Sequence, residues 1–350
     1  MKRVLQILNS PDPGGVLALA QSITDGVAHH GIMIETLFLT PRPGMSALAK
    51  IRGALAAAVR IVRGEYRAVI AYQAWPSIIV GLTGVIARRP RLIVHQTTIP
   101  SATAPLIRWL DRIIGSLGLY PVNVVNTAFT RSEFANYPRA YREHLKLIEH
   151  GVARPAVMWS RASTLRHYGI PDDAKILLNT GRLAEQKNQD TIIRTLPFLP
   201  DCRLVVAGNG DLHDDFIALA KALGVDERVH LLGALPHDQT MELYGAADLF
   251  VFPSRHETFG ISAVEAALLA IPTLVSDIAV LREVLAVDGQ SPVGFIDTID
   301  VAAWTRTVRS WCTAPPPQAE LQTFATALAR KYSEKRMIDA YIELLDNSVD

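Results

Sequence analysis

The chain reads as α/β, with two doubly wound Rossmann-like domains expected to face each other across a cleft. Three observations predict this. The length is 350 residues, and at roughly 100–200 residues per domain that is room for two cores. Short apolar runs alternate with longer amphipathic stretches, the pattern of a parallel sheet with helical crossovers. Near residue 151 the alternation stops and begins again.

In the first half, strands are expected over Val4–Leu8, Ile34–Leu39, Ala68–Ala71, Leu92–His95, Val122–Val125 and Leu145–Ile148, with helices between them such as Ala18–His29 and Met45–Arg63. Gly151 to Pro155 reads as a linker. A helix follows, ending near Tyr168-Gly169, and Pro171-Asp172-Asp173 marks a turn. The second set of strands is expected over Ile176–Asn179, Arg203–Ala207, Val229–Leu231, Leu249–Phe252 and Pro272–Val275. Pro315-Pro316-Pro317 breaks any helix, and Leu321 to Leu345 reads as one or two helices. The expected division is 1–152, 153–315 and 316–350. Doubly wound sheets bind ligands at the carboxyl ends of their strands, so the cleft is where a site is expected.

Hydrophobic residues make up 49% of the chain, ample for two cores. The two cysteines, Cys202 and Cys312, are far apart in sequence and form no zinc-type cluster. They read as core fillers in a reducing compartment. The apolar start after Met1-Lys2-Arg3 is too short for a signal-peptide core. The run Ile78 to Ala87 holds glycines and stops at Arg88-Arg89, so it does not span a bilayer. A cytoplasmic protein is expected. The net charge of +1 hides an asymmetry. Residues 1–150 hold 17 Lys and Arg against 8 Asp and Glu, a net of +9, and residues 151–350 hold 18 against 26, a net of −8. Such a split points to an anionic partner for one half.

The most informative segment runs from Phe252 to Glu265, FPSRHETFGISAVE, between an apolar strand and an apolar helix. A helix start presents unpaired N–H groups and the positive end of the helix dipole, which suits a phosphate. Gly260 permits close backbone approach. Glu257 and Glu265, with seven residues between them, are acceptors suited to sugar hydroxyls. Any two glutamates at this spacing are more often a solvated carboxylate and a cap, but the strand–turn–helix setting reverses that preference. A second segment, Asn179 to Asn188, also leaves a strand. In it Gly181 opens a loop bracketed by Arg182 and Lys187, a planar fork and a point charge that together neutralise a diphosphate. Taken alone, these are equally well two surface cations, one of them paired with Glu185.

Four weaker signals follow. Gly14-Gly15, in Pro11-Asp12-Pro13-Gly14-Gly15, allows backbone contact with a phosphate or sugar, although glycine pairs after strands are common. Gly208-Asn209-Gly210 is either a tight turn or a floor for a nucleotide. His95, at a strand end, is either a structural histidine or a group facing the cleft. The basic helix with Lys50, Arg52, Arg60, Arg63 and Arg67 is either a solvated face or an interfacial helix on anionic lipid. The chain has no Asp-x-Asp triplet, no Gly-x-x-x-x-Gly-Lys-Ser/Thr loop, no Gly-x-Ser-x-Gly elbow and no Gly-x-Gly-x-x-Gly fingerprint at a strand–helix turn.

The order of these segments resembles the family 4 glycosyltransferases of GT-B fold: Gly14-Gly15, Gly181-Arg182-x4-Lys187, Gly208-x-Gly210, Ala247-Asp248 before Pro253-Ser254, then Glu257-x7-Glu265. The likeness is strongest over 174–285. It implies a nucleotide-diphosphate-sugar donor in the second domain, a glycan or lipid-linked acceptor in the first, retention of anomeric configuration, and no metal or other cofactor. It implies that Glu257 holds donor-sugar hydroxyls and Glu265 the ribose. Arg182 and Lys187 clamp the diphosphate. The backbone at Gly15 and at Phe259-Gly260-Ile261 binds the diphosphate or sugar, and His95 lies near the sugar. Leaving-group stabilisation is then the main catalytic term. The final helix is expected to cross back to the first domain. The basic first domain suggests a cell-envelope acceptor and peripheral attachment to an anionic membrane; no nucleic acid is expected. The chain departs from the family's usual glycines at Ala270 and at Ala279-Val280, which leaves the donor sugar open, and has His150 where Asn is usual. Two other readings stand beside transfer, a sugar-nucleotide epimerase and a non-catalytic sugar-nucleotide-binding partner in glycan synthesis.

Overall fold

The computed structural model describes residues 2–11, 14–42, 45–87, 90–154 and 156–346. The chain divides into two compact units. Unit 1 is Met1–Gly151 with Glu334–Asp350, and unit 2 is Val152–Ser333.

Unit 1 contains β1 (Lys2–Leu8), α1 (Gly15–Ala28), β2 (Ile32–Phe38), α2 (Ala47–Arg63), β3 (Ala68–Tyr72), α3 (Ala74–Gly84), β4 (Arg91–His95), α4 (Pro105–Ser116), β5 (Val122–Val125), α5 (Ala128–Ser132), α6 (Arg139–Arg142) and β6 (Leu145–Leu147). The strands form one parallel sheet in the order β2-β1-β3-β4-β5-β6, with Val4 opposite both Ile34 and Ala68. Every residue of β3 is buried, as expected of a parallel strand covered on both faces. Leu19, Ile23 and Val27 of α1 pack on one face of the sheet, and Ala57 and Ile61 of α2 with Ile79 and Val80 of α3 pack on the other.

Unit 2 contains α7 (Arg161–His167), β7 (Lys175–Thr180), α8 (Asp190–Ile193), β8 (Cys202–Ala207), α9 (His213–Ala222), β9 (Val229–Leu231), α10 (His237–Ala246), β10 (Leu249–Phe252), α11 (Ile261–Leu268), β11 (Thr273–Ser276), α12 (Ala279–Val284), β12 (Gly294–Ile296), α13 (Val301–Thr313) and α14 (Gln318–Lys331). The sheet is again parallel, in the order β12-β11-β10-β7-β8-β9. Asp248 fixes the start of β7. Its carboxylate accepts from the Ile176 N–H at 2.9 Å and from Arg161 and Lys175 at 2.8 and 3.1 Å.

Three sequence expectations need correction. β12 was not foreseen, because three residues beginning with glycine and following Ser291-Pro292 carry too little alternation. The break at Pro315–Pro317 does not end the second unit. Leu321 and Ala325 of α14 pack on Ala270, and Lys331 donates to the carbonyls of Glu283 and Ala286 at 3.0 and 2.8 Å, so α14 stays in unit 2. Only α15 (Glu334–Asp346) belongs to unit 1. It lies so close to α1 that a Cβ on Gly26 would fall 2.5 Å from Ile338 Cδ1. Finally, Cys202 and Cys312 are not separate core fillers: their free thiols meet with Sγ atoms 3.7 Å apart.

Candidate active site

In unit 2 the chain runs outward in both directions from β7: β8 and β9 lie on one side, β10 to β12 on the other. The switch point is therefore the β7–β10 pair, and a doubly wound sheet binds ligands at the carboxyl ends of that pair. The two loops that leave those ends are 181–189 and 253–260, the two segments singled out in the sequence.

Polar groups lace these loops together. Asn188 adopts the left-handed conformation (φ 54°) and donates from Nδ2 to the carbonyls of Pro253 and Thr298 at 3.1 and 3.0 Å. Gln189 donates to the Arg182 carbonyl at 3.0 Å, and Gln186 to the His256 carbonyl at 2.9 Å. The Arg255 N–H returns to the Gln186 carbonyl at 2.8 Å. Asn188 and Gln189 are buried, and sequence reasoning gave them no role. The signal was present: two adjacent amides after a strand are the residue type that can bond backbone in another loop.

Within this frame Lys187 and Glu257 form an ion pair, Nζ to Oε1 2.5 Å, and Nζ also lies 4.9 Å from the Phe252 ring centroid. Both side chains are largely buried, so the pair gains more than a surface pair does and suffers if broken. Arg182 differs. It is exposed, with no ion pair among the described residues.

Gly260 (φ 85°) caps α11 in the left-handed region, where glycine carries no Cβ penalty. A Cβ there would stand 2.7 Å from Leu281 Cδ2. The first N–H groups of α11, at Ile261 and Ser262, have no intrahelical acceptor. Phe259 is buried, its ring edge-on to Tyr332 at 4.9 Å, so only its backbone can serve a ligand. About one turn on, Glu265 accepts from the Tyr244 hydroxyl at 3.2 Å, and that hydroxyl also meets Thr180 Oγ1 at 2.9 Å and the Ser262 carbonyl at 3.0 Å. Burial raises the Glu265 pKa to about 7, against the opposing hydrogen bond from Tyr244. Tyr244 is a further residue the sequence reading missed.

Gly208 and Gly210 have packing reasons of their own. A Cβ on Gly208 would sit 1.9 Å from the Gly181 carbonyl oxygen, and one on Gly210 2.2 Å from that of Leu183. The loop after β8 thus presses on the loop after β7, held by Gly181 N–H to Ala207 O at 2.9 Å and Leu183 N–H to Asn209 O at 3.0 Å. Of the family's usual glycines, Ala270 keeps the left-handed backbone (φ 56°) without the glycine. Ala279-Val280 begin α12, with Val280 buried.

In unit 1 the switch point is β1–β3. Gly14 and Gly15 follow β1 at the start of α1, and open space lies where a Gly14 Cβ would be. Asp12 and Pro13 of that motif lie outside the described residues. Gln73, after β3, has φ 73° with a side chain that accepts from the Asn9 N–H at 3.4 Å. A non-glycine residue there is a stored strain of the kind that gathers at functional sites. His95, one strand further, does not face solvent. It is 1% exposed, with Tyr72 and His150 rings each 5.6 Å away and Nδ1 3.2 Å from the Tyr341 hydroxyl. Burial, helped by His150, holds its pKa well below the ordinary value. β4 ends inside a layer closed by α15, while His95 Nε2 is buried with no hydrogen-bond partner among the described residues, so both readings of His95 stand. Among the described residues no three His, Cys, Asp or Glu side chains gather where they could hold a metal ion.

The family model of the glycosyl transferases, group 1, matches residues 160–327, the stretch that carries Arg182, Lys187, Glu257 and Glu265. Residues 160–327 belong to the group 1 glycosyl transferases. An uncharacterized glycosyltransferase of Methanocaldococcus jannaschii is 39% identical over 123 residues, 34% of this chain and 32% of that protein. The D-inositol 3-phosphate glycosyltransferase of Mycolicibacterium smegmatis is 28% identical over 225 residues, 63% of this chain and 51% of that one. The chain spans about half or less of these two relatives. HepE of Anabaena, solved with UDP and glucose, superposes with a TM-score of 0.81 over 99% of this chain and 100% of its own at 17% identity. That likeness shows the fold, which is the GT-B class of two Rossmann-like units expected for a group 1 glycosyltransferase.

Proposed function

We propose that this chain is a retaining glycosyltransferase that moves a hexose-type sugar from a nucleotide-diphosphate-sugar to a cell-envelope glycan or lipid-linked acceptor without a metal. The observation that carries this reading is the Lys187–Glu257 pair at the β7–β10 switch point, in the loops that also carry Arg182 and lead into α11. Lys187, Arg182 and the N–H groups of Ile261 and Ser262 are the groups suited to an anion of diphosphate charge. Glu257 accepts from sugar hydroxyls while holding Lys187 in place. Glu265, about one turn along α11, accepts from ribose hydroxyls in its ionised form.

In the reaction the bond from the anomeric carbon to the diphosphate oxygen breaks, and the electron pair leaves with the phosphate. Lys187 and Arg182 stabilise that developing charge, a term typically worth two to three orders of magnitude per donor removed. The acceptor hydroxyl bonds the anomeric carbon from the same face and passes its proton to the departing phosphate. No protein nucleophile takes part. UDP bound to HepE supports a uridine donor here. The test is the melting temperature with a panel of nucleoside diphosphates and EDTA, followed by donor turnover. A ligand that binds only the folded state raises the melting temperature; no shift with any diphosphate would overturn the donor site.

One observation favours a second reading. A carboxyl with pKa about 7, as at Glu265, is what a sugar-nucleotide epimerase needs as acid or base. Conversion of the donor sugar to its epimer in the absence of acceptor would select it.

A further inference from the structure

Unit 1 wears its apolar residues inside out on one layer. On α2 the small residues Gly53, Ala54 and Ala57 face the sheet with Ile61, and a Cβ on Gly53 would come 2.7 Å from the Leu39 carbonyl oxygen. The large residues Leu48, Ile51, Leu55, Val59 and Val62 face outward and are 42–61% exposed. Their spacing of three and four places them along one stripe of the helix. The same inversion recurs on α4, where Leu106, Trp109 and Ile113 are exposed and Leu117 continues the stripe. Between them α3, which packs against both α2 and α4, exposes Leu82 and leads to exposed Val85 and Ile86. Single exposed apolar residues need no explanation, but exposed stripes on α2 and α4, with exposed apolar residues at the end of α3 between them, do.

Charge says what covers this face. Residues 47–63 hold Lys50, Arg52, Arg60 and Arg63 and no acid. Arg60 is engaged with Glu35, but Lys50, Arg52 and Arg63 are exposed and have no ion pair among the described residues. On α4 the acid Asp111 is buried, while Arg108 and Arg112 are exposed. Arg88-Arg89 follow α3 in the sequence. A second copy of the same face would bring these cations together, since a two-fold contact pairs a patch with itself. No helix among the described residues is long and apolar enough to cross a membrane. An apolar stripe flanked by unpaired cations, on helices that lie flat on a domain, has the chemistry of a surface that rests on anionic lipid.

We propose that the outer face of α2, α3 and α4 docks unit 1 on an anionic bilayer, with the stripe centred on Leu55 and Trp109 seated in the headgroup layer. The inference does not rest on the transfer reading, and it supplies a place for a lipid-linked acceptor if that reading holds.

The full chain is floated with phosphatidylcholine vesicles, with and without phosphatidylglycerol. The expected result is binding to the anionic vesicles only, weakening as salt rises. The charge variant Lys50→Gln/Arg52→Gln/Arg63→Gln loses about tenfold or more in lipid affinity. The apolar variant Leu48→Ser/Leu55→Ser/Trp109→Ser loses as much, and brominated acyl chains quench tryptophan emission in the parent but not in Trp109→Phe. These side chains lie outside the core, and an unchanged melting shift with UDP reports that the donor site is intact. Three results would overturn the proposal: no flotation with anionic vesicles at low salt, undiminished binding by the apolar variant, or a dimer in solution that the apolar variant dissociates.

Discussion

At the switch point of unit 2, charged groups gather in the loops: Lys187 is paired with Glu257, and Arg182 is exposed with no ion pair among the described residues. At the strand ends of unit 1, the corresponding depth is filled by neutral rings, with His95 and His150 sealed among Tyr72 and Tyr341. The two sheets are both parallel and six-stranded, although their strand orders differ, so strand direction does not make this difference. It follows from what covers the strand ends. In unit 1, α15 returns to lie over α1 and β4, and polar groups beneath it must be uncharged. In unit 2 the loops after β7 and β10 hold each other through Asn188 and Gln186 and keep their buried charges paired. A carboxyl strand end therefore offers charged groups only where the covering layer leaves it open.

The largest test of this contrast removes the centre of the open site. Glu257→Gln keeps the shape but cancels the charge that holds Lys187, and transfer is expected to fall by about two to three orders of magnitude. Lys187→Ala should fall comparably and also lose stability, because Glu257 is left buried without its partner. Steady-state rates with a matched donor and acceptor check both. A Glu257→Gln enzyme within a fewfold of the parent would break the assignment.

Next comes the packing beneath that site. Gly208→Ala puts a methyl 1.9 Å from a backbone carbonyl oxygen that cannot swing away. A loss of about 2–4 kcal/mol is expected by urea unfolding, with nucleotide affinity falling alongside. A neutral result would mean that the loop after β7 is free to move and that Gly208 contacts ligand rather than protein.

The third test uses acid to read the closed ends of unit 1. Burial holds His150 at a pKa of about 4, below the ordinary 6.5, and the Asn126 amide nitrogen 2.8 Å from Nε2 can only donate, so Nε2 accepts. As pH falls below 6.5 the unfolded chain takes up a proton that the folded one refuses. Stability is therefore lost between pH 6.5 and 4, by about 3 kcal/mol for this group, and His95 adds loss of the same sign. His150→Asn should flatten that limb of the pH–stability curve. An unchanged limb would show that the ring cluster is not what acid attacks.

Much of this was legible beforehand, and the failures have causes. The strand–loop–helix segments were visible because glycine, cation and carboxylate recur at fixed distances from apolar strands. The ion pair between Lys187 and Glu257 was not, because sequence places them 70 residues apart and only β7–β10 adjacency joins them. His95 was given two readings because a strand end does not reveal what lies over it; Tyr341, 246 residues away, does. The basic stripe of α2 was visible as charge, but the outward turn of its leucines was not. A helix that is apolar on two sides does not say which side faces the sheet until the small side is seen against Leu39.

The two units also respond to pH in opposite directions. Glu265 has a raised pKa, about 7 against an ordinary 4.5. Below pH 4.5 both states are protonated and nothing is lost; between 4.5 and 7 the unfolded chain ionises first, so this group's contribution to stability falls as pH rises. On the proposed role of Glu265, ribose hydroxyls would bond the ionised carboxylate, so nucleotide affinity should climb with pH to about 7 and then level. Calorimetry of UDP binding from pH 5 to 8, roughly the range that brackets this pKa, should show that climb, with Glu265→Gln giving a flat line. A climb retained in Glu265→Gln would move the titration to another group.

The smallest effect is expected at Arg182, and it separates charge from framework. Lys187 is built into the fold through Glu257 and Phe252, whereas Arg182 is exposed and pairs with nothing among the described residues. Arg182→Ala should therefore leave stability within about 0.5 kcal/mol. Its cost is one charge-assisted contact to a phosphate, about 1.5 kcal/mol or tenfold in affinity. Because that contact is to phosphate alone, UDP binding should weaken tenfold while uridine binding is unchanged, and the loss should shrink as salt screens the exposed charge. An equal loss for uridine would mean that Arg182 shapes the loop after β7, and the clamp would then rest on Lys187 and the start of α11.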